Sequence, residues 1–380
     1  MDRSTDIAEV VTLRQEIHAH AELAGREIET SRIIRKFVEQ HEPQRLVTNL
    51  GGNGLVAVFE GREEGPTVML RTEIDAVPVQ ETNDFDHRSL SAGVSHKCGH
   101  DGHAAIVAGL AAGLARRPPE RGRVVLLFQP AEETGSGARE VLEDERFASI
   151  EPDWIFALHN LPGEPFGEIQ IKSGPFAAGS VGVILKLEGS TSHAAYPEQG
   201  RSPATAVAQL IQELTSLPAS LGGHGIAQVT VVHARIGEPA FGTTPGEAEV
   251  MATLRSDREE ILEHLRTEAV KRLVHIAQSN GLEHSHSWTD DFPVTVNHAE
   301  AVRVVEAVAE ACGIGVVQRA AAYPWSEDFG WFTRRIQGAI LGLGSGADHP
   351  ALHSPGYDFP DELIPIGLRL FEGIFEEILG

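Results

Sequence analysis

Apolar positions in the first 175 residues follow two kinds of pattern, helical spacing and short continuous runs. Residues 7–20 and 27–41 carry apolar side chains three and four positions apart, which predicts two amphipathic helices. Short apolar runs follow at 55–59, 68–70, 124–128 and 155–158, and the Ala/Gly/Leu-rich stretch 104–114 lies between the second and third. Short strands separated by helices predict a parallel or mixed sheet covered on both faces.

The order of the elements changes after the Gly/Pro/Ala stretch at 174–179. The patterns predict a strand at 180–188, a helix at 203–217, strands at 227–236 and 248–255, a helix at 258–279 and a strand at 282–289. This β-α-β-β-α-β order is the split βαβ arrangement of a small domain. Helix–strand alternation then resumes up to a closing helix at 360–379. The sequence therefore predicts an α/β domain formed by 1–179 and 292–380, interrupted by an α+β domain at 180–291.

Composition excludes several classes of protein. The 31 Lys and Arg against 55 Asp and Glu give a net charge of −24, which argues against nucleic acid or an anionic membrane as partner. No apolar run approaches the roughly 18 residues of a membrane span, and the first ten residues lack the pattern of a signal peptide. With only two cysteines and no disulfide framework, we expect a cytoplasmic protein. The 18 histidines direct attention to metal ligands.

The densest cluster of candidate ligands is the stretch 96–103, His-Lys-Cys-Gly-His-Asp-Gly-His. Cys98 and His100 are two residues apart beside glycines that permit a tight turn, so their side chains are expected to converge on one ion or a close pair. Thiolate and imidazole suit Zn²⁺ and other borderline transition metals. Two alternatives are a polar loop with a buried cysteine, and Cys98 as a nucleophile with His100 as its base.

A pair of adjacent carboxylates, Glu132 and Glu133, follows the apolar run 124–128. The carboxyl end of a strand is where α/β sheets place their ligands. Because neighbouring side chains diverge, one carboxylate is expected to bind metal while the other serves a water or substrate as general base. The alternative is an exposed acidic turn.

Other candidates also follow apolar strands. His159 ends the run 155–158, and Asp75 ends a strand as a candidate orienting carboxylate. His349 and His353 are four residues apart, but the prolines beside them make a helical pair improbable, so only one is expected to be a ligand. Five ligands exceed a single tetrahedral site and suit two ions, although spacing alone does not assemble them: Cys98, His100, Glu133, His159 and His353.

Seven motifs together resemble, in order and spacing, the aminoacylase/carboxypeptidase metallopeptidase family. They are RTEIDAVPVQE, HKCGHDGH, FQPAEE, ALHN, GSTSHAAYPEQGRSP, SEDFGWF and LHSPGYDF. The resemblance covers nearly the whole chain and is closest to the hippurate hydrolases, N-acyl-amino-acid amidohydrolases and indole-acetyl-amino-acid hydrolases. It implies a dinuclear-metallopeptidase catalytic domain of sheet and helices with an inserted ferredoxin-like lid domain.

The resemblance also implies a role for each matching residue. The five candidates Cys98, His100, Glu133, His159 and His353 match the ligands of two divalent ions, of Zn, Mn, Ni or Co. Glu132 matches the general base and acid that activates water and protonates the leaving amine, and Asp75 matches the orienting carboxylate. His193 matches a lid residue that stabilises the oxyanion, and Arg255 matches a basic residue that meets the substrate carboxylate. A homodimer or homotetramer through the lid domain is a further expectation.

Two positions depart from the pattern of the family. Glu73 stands where the family usually has Asp, and Gly242-Thr243-Thr244-Pro245-Gly246 replaces the usual Asn-Val-Ile-Pro-Asp of the lid.

The predicted function is a metal-dependent amidohydrolase that cleaves small-molecule N-acyl amino acids. The alternatives are a metallo-dipeptidase or aminopeptidase using the same site, and a non-catalytic protein that binds a metal or ligand.

Overall fold

A computed structural model describes residues 6–221 and 225–380 and divides the chain into two compact units. The first unit contains 1–176, 295–320 and 328–380, and the second contains 177–294 and 321–327. The predicted lid domain spans 180–291, and the prediction did not assign the segment 321–327 to it. None of the helices within the described residues is both long and apolar enough to cross a bilayer.

The elements alternate along the chain in the first unit and follow a different order in the second. The helices are α1 (Ile7–Ala19), α2 (Ile28–Glu39), α3 (His100–Arg116), α4 (Gly137–Glu143), α5 (Ala204–Leu221), α6 (Glu259–Ser279), α7 (Ala299–Ala311), α8 (Gly330–Thr333) and α9 (Ile364–Leu379). The strands are β1 (Arg45–Leu50), β2 (Gly54–Glu60), β3 (Glu63–Glu73), β4 (Arg121–Gln129), β5 (Trp154–Pro162), β6 (Ile169–Ile171), β7 (Gly174–Ala177), β8 (Gly179–Glu188), β9 (Ala227–Ile236), β10 (Glu247–Ser256), β11 (Glu283–Phe292), β12 (Thr295–Asn297), β13 (Val316–Gln318) and β14 (Gln337–Gly346).

The first unit is built on an eight-stranded mixed sheet in the order β1-β2-β4-β3-β5-β14-β6-β13. The four central strands, β4, β3, β5 and β14, run parallel. Alternate apolar residues of these strands pack against α1, α2, α3, α7 and α9 in one large core, and α4 and α8 contact the sheet as well. The predicted mixed sheet with helices is confirmed. The hydrophobic pattern missed β1, because its residues are mostly half-buried or exposed.

The second unit is a four-stranded antiparallel sheet in the order β11-β8-β10-β9 with two helices. The order β8-α5-β9-β10-α6-β11 is the predicted ferredoxin-like arrangement. Every second residue of β10 is buried, because one face of the sheet packs on the helices: Ala248, Val250, Ala252 and Leu254. Since β9 and β11 are edge strands, most of their residues are exposed.

Candidate functional site

The carboxyl ends of the parallel strands bring candidate residues to one edge of the sheet. Asp75 follows β3, Glu132 and Glu133 follow β4, and His159 lies near the end of β5. His353 comes after β14. This edge is where the connections of a parallel sheet form ligand sites.

Helix α3 completes the edge with Cys98 and His100, and a glycine between them makes the geometry possible. Gly99 precedes the helix with φ of 93°, a left-handed conformation that favours glycine. A Cβ atom there would lie 2.2 Å from Asn160 Oδ1 and 2.7 Å from Tyr357 Oη. A side chain is therefore excluded at position 99, and the chain turns tightly enough for both flanking residues to face the same cluster.

All five predicted ligands come together, and we call them the donor cluster: Cys98, His100, Glu133, His159 and His353. Two triads each have their donor atoms within 4.8 Å of one another. Cys98, His100 and His159 form one, while Cys98, Glu133 and His353 form the other, so Cys98 is common to both. Cys98 Sγ lies 3.5 Å from His159 Nε2, and His353 Nε2 lies 3.6 Å from Glu133 Oε1.

Hydrogen bonds on the outer side of the donor cluster orient its imidazoles. His100 Nδ1 donates to the carbonyl oxygen of Asp75 at 2.9 Å, and His159 Nδ1 donates to that of Asn160 at 2.8 Å. The Nε2 atoms of both rings therefore face the cluster. His100 Nε2 and Glu133 Oε1 lie 3.9 Å apart, and among the described atoms both are buried without a hydrogen-bond partner.

The electrostatics of the donor cluster favour a cation. Burial lowers the pKa of His159 to about 3, so its ring is neutral and able to donate a lone pair. Burial raises the pKa of the Cys98 thiol well above its usual value, and the carboxylates of Glu133 and Glu132 raise it further. A thiol with a raised pKa stays protonated at neutral pH, which weighs against the alternative of Cys98 as a nucleophile. A divalent ion supplies the charge that converts it to a thiolate ligand.

Glu132 lies beside the donor cluster on a strained turn. It is 5% exposed, and its Oε2 lies 4.0 Å from His100 Nε2. The preceding Ala131 has φ of 55°, a left-handed conformation that is unusual for a residue with a side chain. The Ala131 N–H donates to Glu27 Oε1 at 2.9 Å, which holds the turn. His353 has φ of 60° as well, and such strain is concentrated at functional sites.

The Asp75 carboxylate lies beside the donor cluster. It is fully buried, and its Oδ2 accepts the backbone N–H of Glu133 at 2.9 Å. Its Oδ1 lies 3.4 Å from His100 Nδ1. One residue therefore contacts two members of the donor cluster from outside.

Sequence reasoning missed a second layer behind the donor cluster. His103 Nδ1 lies 3.1 Å from Glu73 Oε2, and its Nε2 lies 2.7 Å from Asn160 Oδ1. Asn160 Nδ2 donates to Tyr357 Oη at 2.5 Å. The third histidine of the stretch 96–103 was the available signal for this layer. Glu73, the departure from the family pattern, is a paired member of the layer.

His193 and Arg255 lie in the second unit. The exposed His193 belongs to a loop fastened to the segment 242–246, because the Thr244 N–H donates to the Ser192 carbonyl oxygen at 2.9 Å and Ser192 N–H donates to Thr244 Oγ1 at 2.8 Å. The altered lid motif thus supplies a threonine that holds this loop. Arg255 Nη1 donates to the Pro324 carbonyl oxygen at 2.7 Å and to Ser326 Oγ at 2.6 Å. The catalytic role of the first residue and the substrate-binding role of the second stay predictions.

Comparisons with known proteins agree with the motifs. The model of peptidase family M20/M25/M40 matches residues 69–377. An N-acetylcysteine deacetylase of Bacillus subtilis (strain 168) is 30% identical over 368 residues, covering 95% of this chain and 94% of the relative. The IAA-amino acid hydrolase ILR1-like 2 of Arabidopsis thaliana is 29% identical, covering 95% and 83%.

A solved structure shows that the likeness extends to the fold. The YXEP protein of Bacillus subtilis, described as a dinuclear metal binding peptidase, superposes with a TM-score of 0.82 at 27% identity and covers 98% of both chains. The predicted family and fold class are confirmed by these matches. Because the family model spans most of the chain and a relative reaches 30% identity over nearly its full length, the chain belongs to peptidase family M20/M25/M40.

Proposed function

We propose that this protein is a metal-dependent amidohydrolase that cleaves the amide bond of N-acyl amino acids and releases a carboxylic acid and a free amino acid. One observation carries the proposal: two donor triads share Cys98, and two buried donor atoms that face each other, His100 Nε2 and Glu133 Oε1, have no hydrogen-bond partner in the described residues. The predicted class of a hydrolase acting on amides is confirmed by the family and by relatives named as deacetylases and amino acid hydrolases.

The donor cluster fits two divalent ions. Cys98, His100 and His159 would hold one ion, and Cys98, Glu133 and His353 would hold the other. Thiolate, imidazole and carboxylate are ligands that Zn²⁺, Co²⁺, Ni²⁺ and Mn²⁺ accept in different proportions. Such ions supply Lewis acidity to a carbonyl oxygen and lower the pKa of a water.

Glu132 is the residue proposed to move the proton of the reaction. It takes a proton from the attacking water as the new carbon–oxygen bond forms, and gives it to the nitrogen as the carbon–nitrogen bond breaks. Its Oε2 faces the donor cluster. The Asp75 carboxylate instead accepts the Glu133 N–H at Oδ2, and its Oδ1 lies 3.4 Å from His100 Nδ1. Glu132 therefore acts as the base and acid, and Asp75 orients.

The second unit is proposed to recognise the substrate. The Arg255 guanidinium donates through Nη1 to its neighbours, and it offers further donors that suit a carboxylate. The exposed His193 imidazole is proposed to stabilise the oxyanion of the tetrahedral intermediate. Both roles fit a substrate with a free α-carboxylate next to the scissile amide.

A panel of substrates and metals tests the function. Chelator-treated protein is reloaded with Mn²⁺, Zn²⁺, Co²⁺ or Ni²⁺ and assayed on N-acetyl- and N-benzoyl-amino acids beside free dipeptides. We expect turnover of the N-acyl amino acids that depends on added metal. A preference for free dipeptides would instead identify a dipeptidase, and metal binding without turnover of either class would identify a non-catalytic relative.

Assembly through the lid is a separate proposal. Strand β9 is an edge strand of the second unit, and Val232 and Ile236 on it are 59% and 41% exposed. Unpaired edges with apolar side chains are suited to pairing with a second copy. We expect a homodimer or homotetramer by light scattering, and a monomer in the variant Val232→Lys.

The cytoplasmic location stays a prediction. The two free cysteines, Cys98 and Cys312, suit a reducing compartment.

A further inference from the structure

Glu132 is in contact with a buried hydrogen-bond network, which we call the arginine network: Arg71, Glu73, Gln129 and Asp328. Each of these residues is at most 1% exposed. Arg71 donates from Nε to Gln129 Oε1 at 2.8 Å, from Nη2 to Asp328 Oδ1 at 2.5 Å, and from Nη1 to Glu73 Oε1. A planar guanidinium with three carboxylate and amide partners has one orientation, so the network is rigid.

Asp328 is the member of the network that reaches Glu132. Gln129 Nε2 donates to its two carboxylate oxygens at 3.0 and 2.8 Å, and the Ala138 N–H donates to Oδ2 at 2.8 Å. The backbone N–H of Asp328 donates to Glu132 Oε1 at 3.3 Å. Hydrogen bonds to both oxygens of Asp328 restrict the torsions that connect its carboxylate to its backbone N–H.

We propose that Asp328 is a positioning residue for Glu132, and that the arginine network keeps its N–H directed at Glu132 Oε1. The proposal rests on the proposed function, in which Glu132 moves the proton. With Oε1 held in this way, Oε2 points to the donor cluster, 4.0 Å from His100 Nε2. A general base must lie within reach of the proton that it takes, so holding one oxygen sets the position of the other.

Glu73 anchors the far side of the arginine network. Its Oε1 accepts from Arg71, while its Oε2 lies 3.1 Å from His103 Nδ1 on α3. One carboxylate therefore contacts both the guanidinium and the helix that begins with His100. The extra methylene of Glu relative to Asp gives the side chain the reach for both partners.

The variant Asp328→Asn separates positioning from a merely structural role. It keeps the backbone N–H and the size of the side chain, and it weakens the ion pair with Arg71. In the metal-loaded enzyme we expect kcat to fall roughly 10- to 100-fold, with KM and metal content little changed. The matched control is Asn297→Ala, which removes three hydrogen bonds of an equally buried side chain in the same unit. We expect the control to lose stability and to keep the kcat of the wild type.

A double-mutant comparison identifies the residue through which Asp328 acts. If it acts through Glu132, Asp328→Asn lowers kcat no further in the Glu132→Gln background. An equal fall in both backgrounds, or an unchanged kcat in the single variant, overturns the proposal. Wild-type turnover by Glu132→Gln overturns the role of Glu132 itself, which is a different failure. If Asp328→Asn does not fold, Gln129→Met serves as the second variant, because it removes the hydrogen bonds of Gln129 to Arg71 and Asp328. We expect this variant to lower kcat severalfold. An unchanged kcat overturns the proposal.

Discussion

The donor cluster and the arginine network are both groups of polar side chains in the first unit. They differ in whether their buried polar atoms have hydrogen-bond partners. In the donor cluster, His100 Nε2 and Glu133 Oε1 are buried with no partner in the described residues. In the arginine network, three nitrogens of Arg71 donate to Gln129, Glu73 and Asp328. An unpaired buried polar atom costs about 1–3 kcal/mol, so a fold that retains two of them at one place indicates a ligand.

Exposure distinguishes the two groups as well. The His353 side chain is 51% exposed, so the donor cluster is reachable from solvent at this residue, whereas Arg71, Glu73 and Asp328 are fully enclosed. The donor cluster, which is partly exposed and has ligand atoms without hydrogen-bond partners, is suited to ions and substrate. The arginine network, which is buried and hydrogen-bonded, is suited to holding a neighbouring residue in place. Glu132 contacts both, through Oε2 and Oε1 respectively.

The largest effect is expected for Glu132→Gln. The amide keeps the size of the side chain and removes the proton acceptor, so turnover should fall about 10²- to 10⁴-fold while the metal content stays that of the wild type. Steady-state kinetics and metal analysis of the same preparation measure both quantities. Glu133→Gln is the matched control, because it should lose metal as well as activity. Full turnover in Glu132→Gln would defeat the assignment of the base.

The second effect is expected on stability, for Arg71→Met. Removing the guanidinium leaves two buried carboxylates, Glu73 and Asp328, without their cation, so the free energy of unfolding should fall by about 3–5 kcal/mol. Urea unfolding with a chelator present measures the loss independently of metal. Arg35→Met removes an exposed ion pair with Glu39 and should change stability little. Equal losses in the two variants would contradict the stabilising role of the buried arginine network.

A smaller effect is expected at His18, a buried histidine outside both groups. Its Nδ1 lies 2.8 Å from Asp101 Oδ2 and its Nε2 lies 3.1 Å from Glu81 Oε1. Burial lowers the pKa of His18, but these two carboxylates outweigh burial and raise it to about 9. A raised pKa in the folded state means that this stability is fully present below pH 6.5 and is lost as the pH rises through about 9.

Unfolding measured between pH 6.5 and 9 tests whether stability falls as the pH rises. Over this interval, the single proton on His18 should lower the free energy of unfolding by up to about 1.4 kcal/mol per pH unit. The variant His18→Gln should lose this dependence of stability on pH. The control variant His20→Gln should keep it, because the His20 ring contacts only the Glu16 carbonyl oxygen, at 2.9 Å, among the hydrogen bonds of the described residues. The same slope in all three proteins would show that the buried imidazole carries no such charge.

Much of the fold was predictable because hydrophobic spacing reports burial directly. Strand β10, predicted at 248–255, spans Glu247–Ser256 and buries every second residue, and the βαββαβ order of the second unit followed from such patterns. The segment 321–327, by contrast, contains the buried residues Ala322, Tyr323 and Glu327, but it has no repeating pattern that places it with the second unit. Strand β1 was missed because its side chains are mostly not buried.

The candidate site was predictable as a set of residues and not as a geometry. The motif around Cys98 and the pair Glu132–Glu133 indicated metal chemistry, and chain order placed them after strands. That Cys98 belongs to two triads depends on which atoms meet across the edge of the sheet, which spacing does not specify. Asp328 was missed because its contact with Glu132 is made by a backbone N–H.

Metal stoichiometry across three proteins tests the central claim most directly. We expect two divalent ions per chain in the wild type, measured by elemental analysis after equilibrium dialysis. Because Cys98 is common to both triads and His159 belongs to only one of these two, Cys98→Ala should lose both ions and His159→Ala only one. A wild-type chain without bound metal, or a Cys98→Ala variant that keeps both ions, would contradict the account.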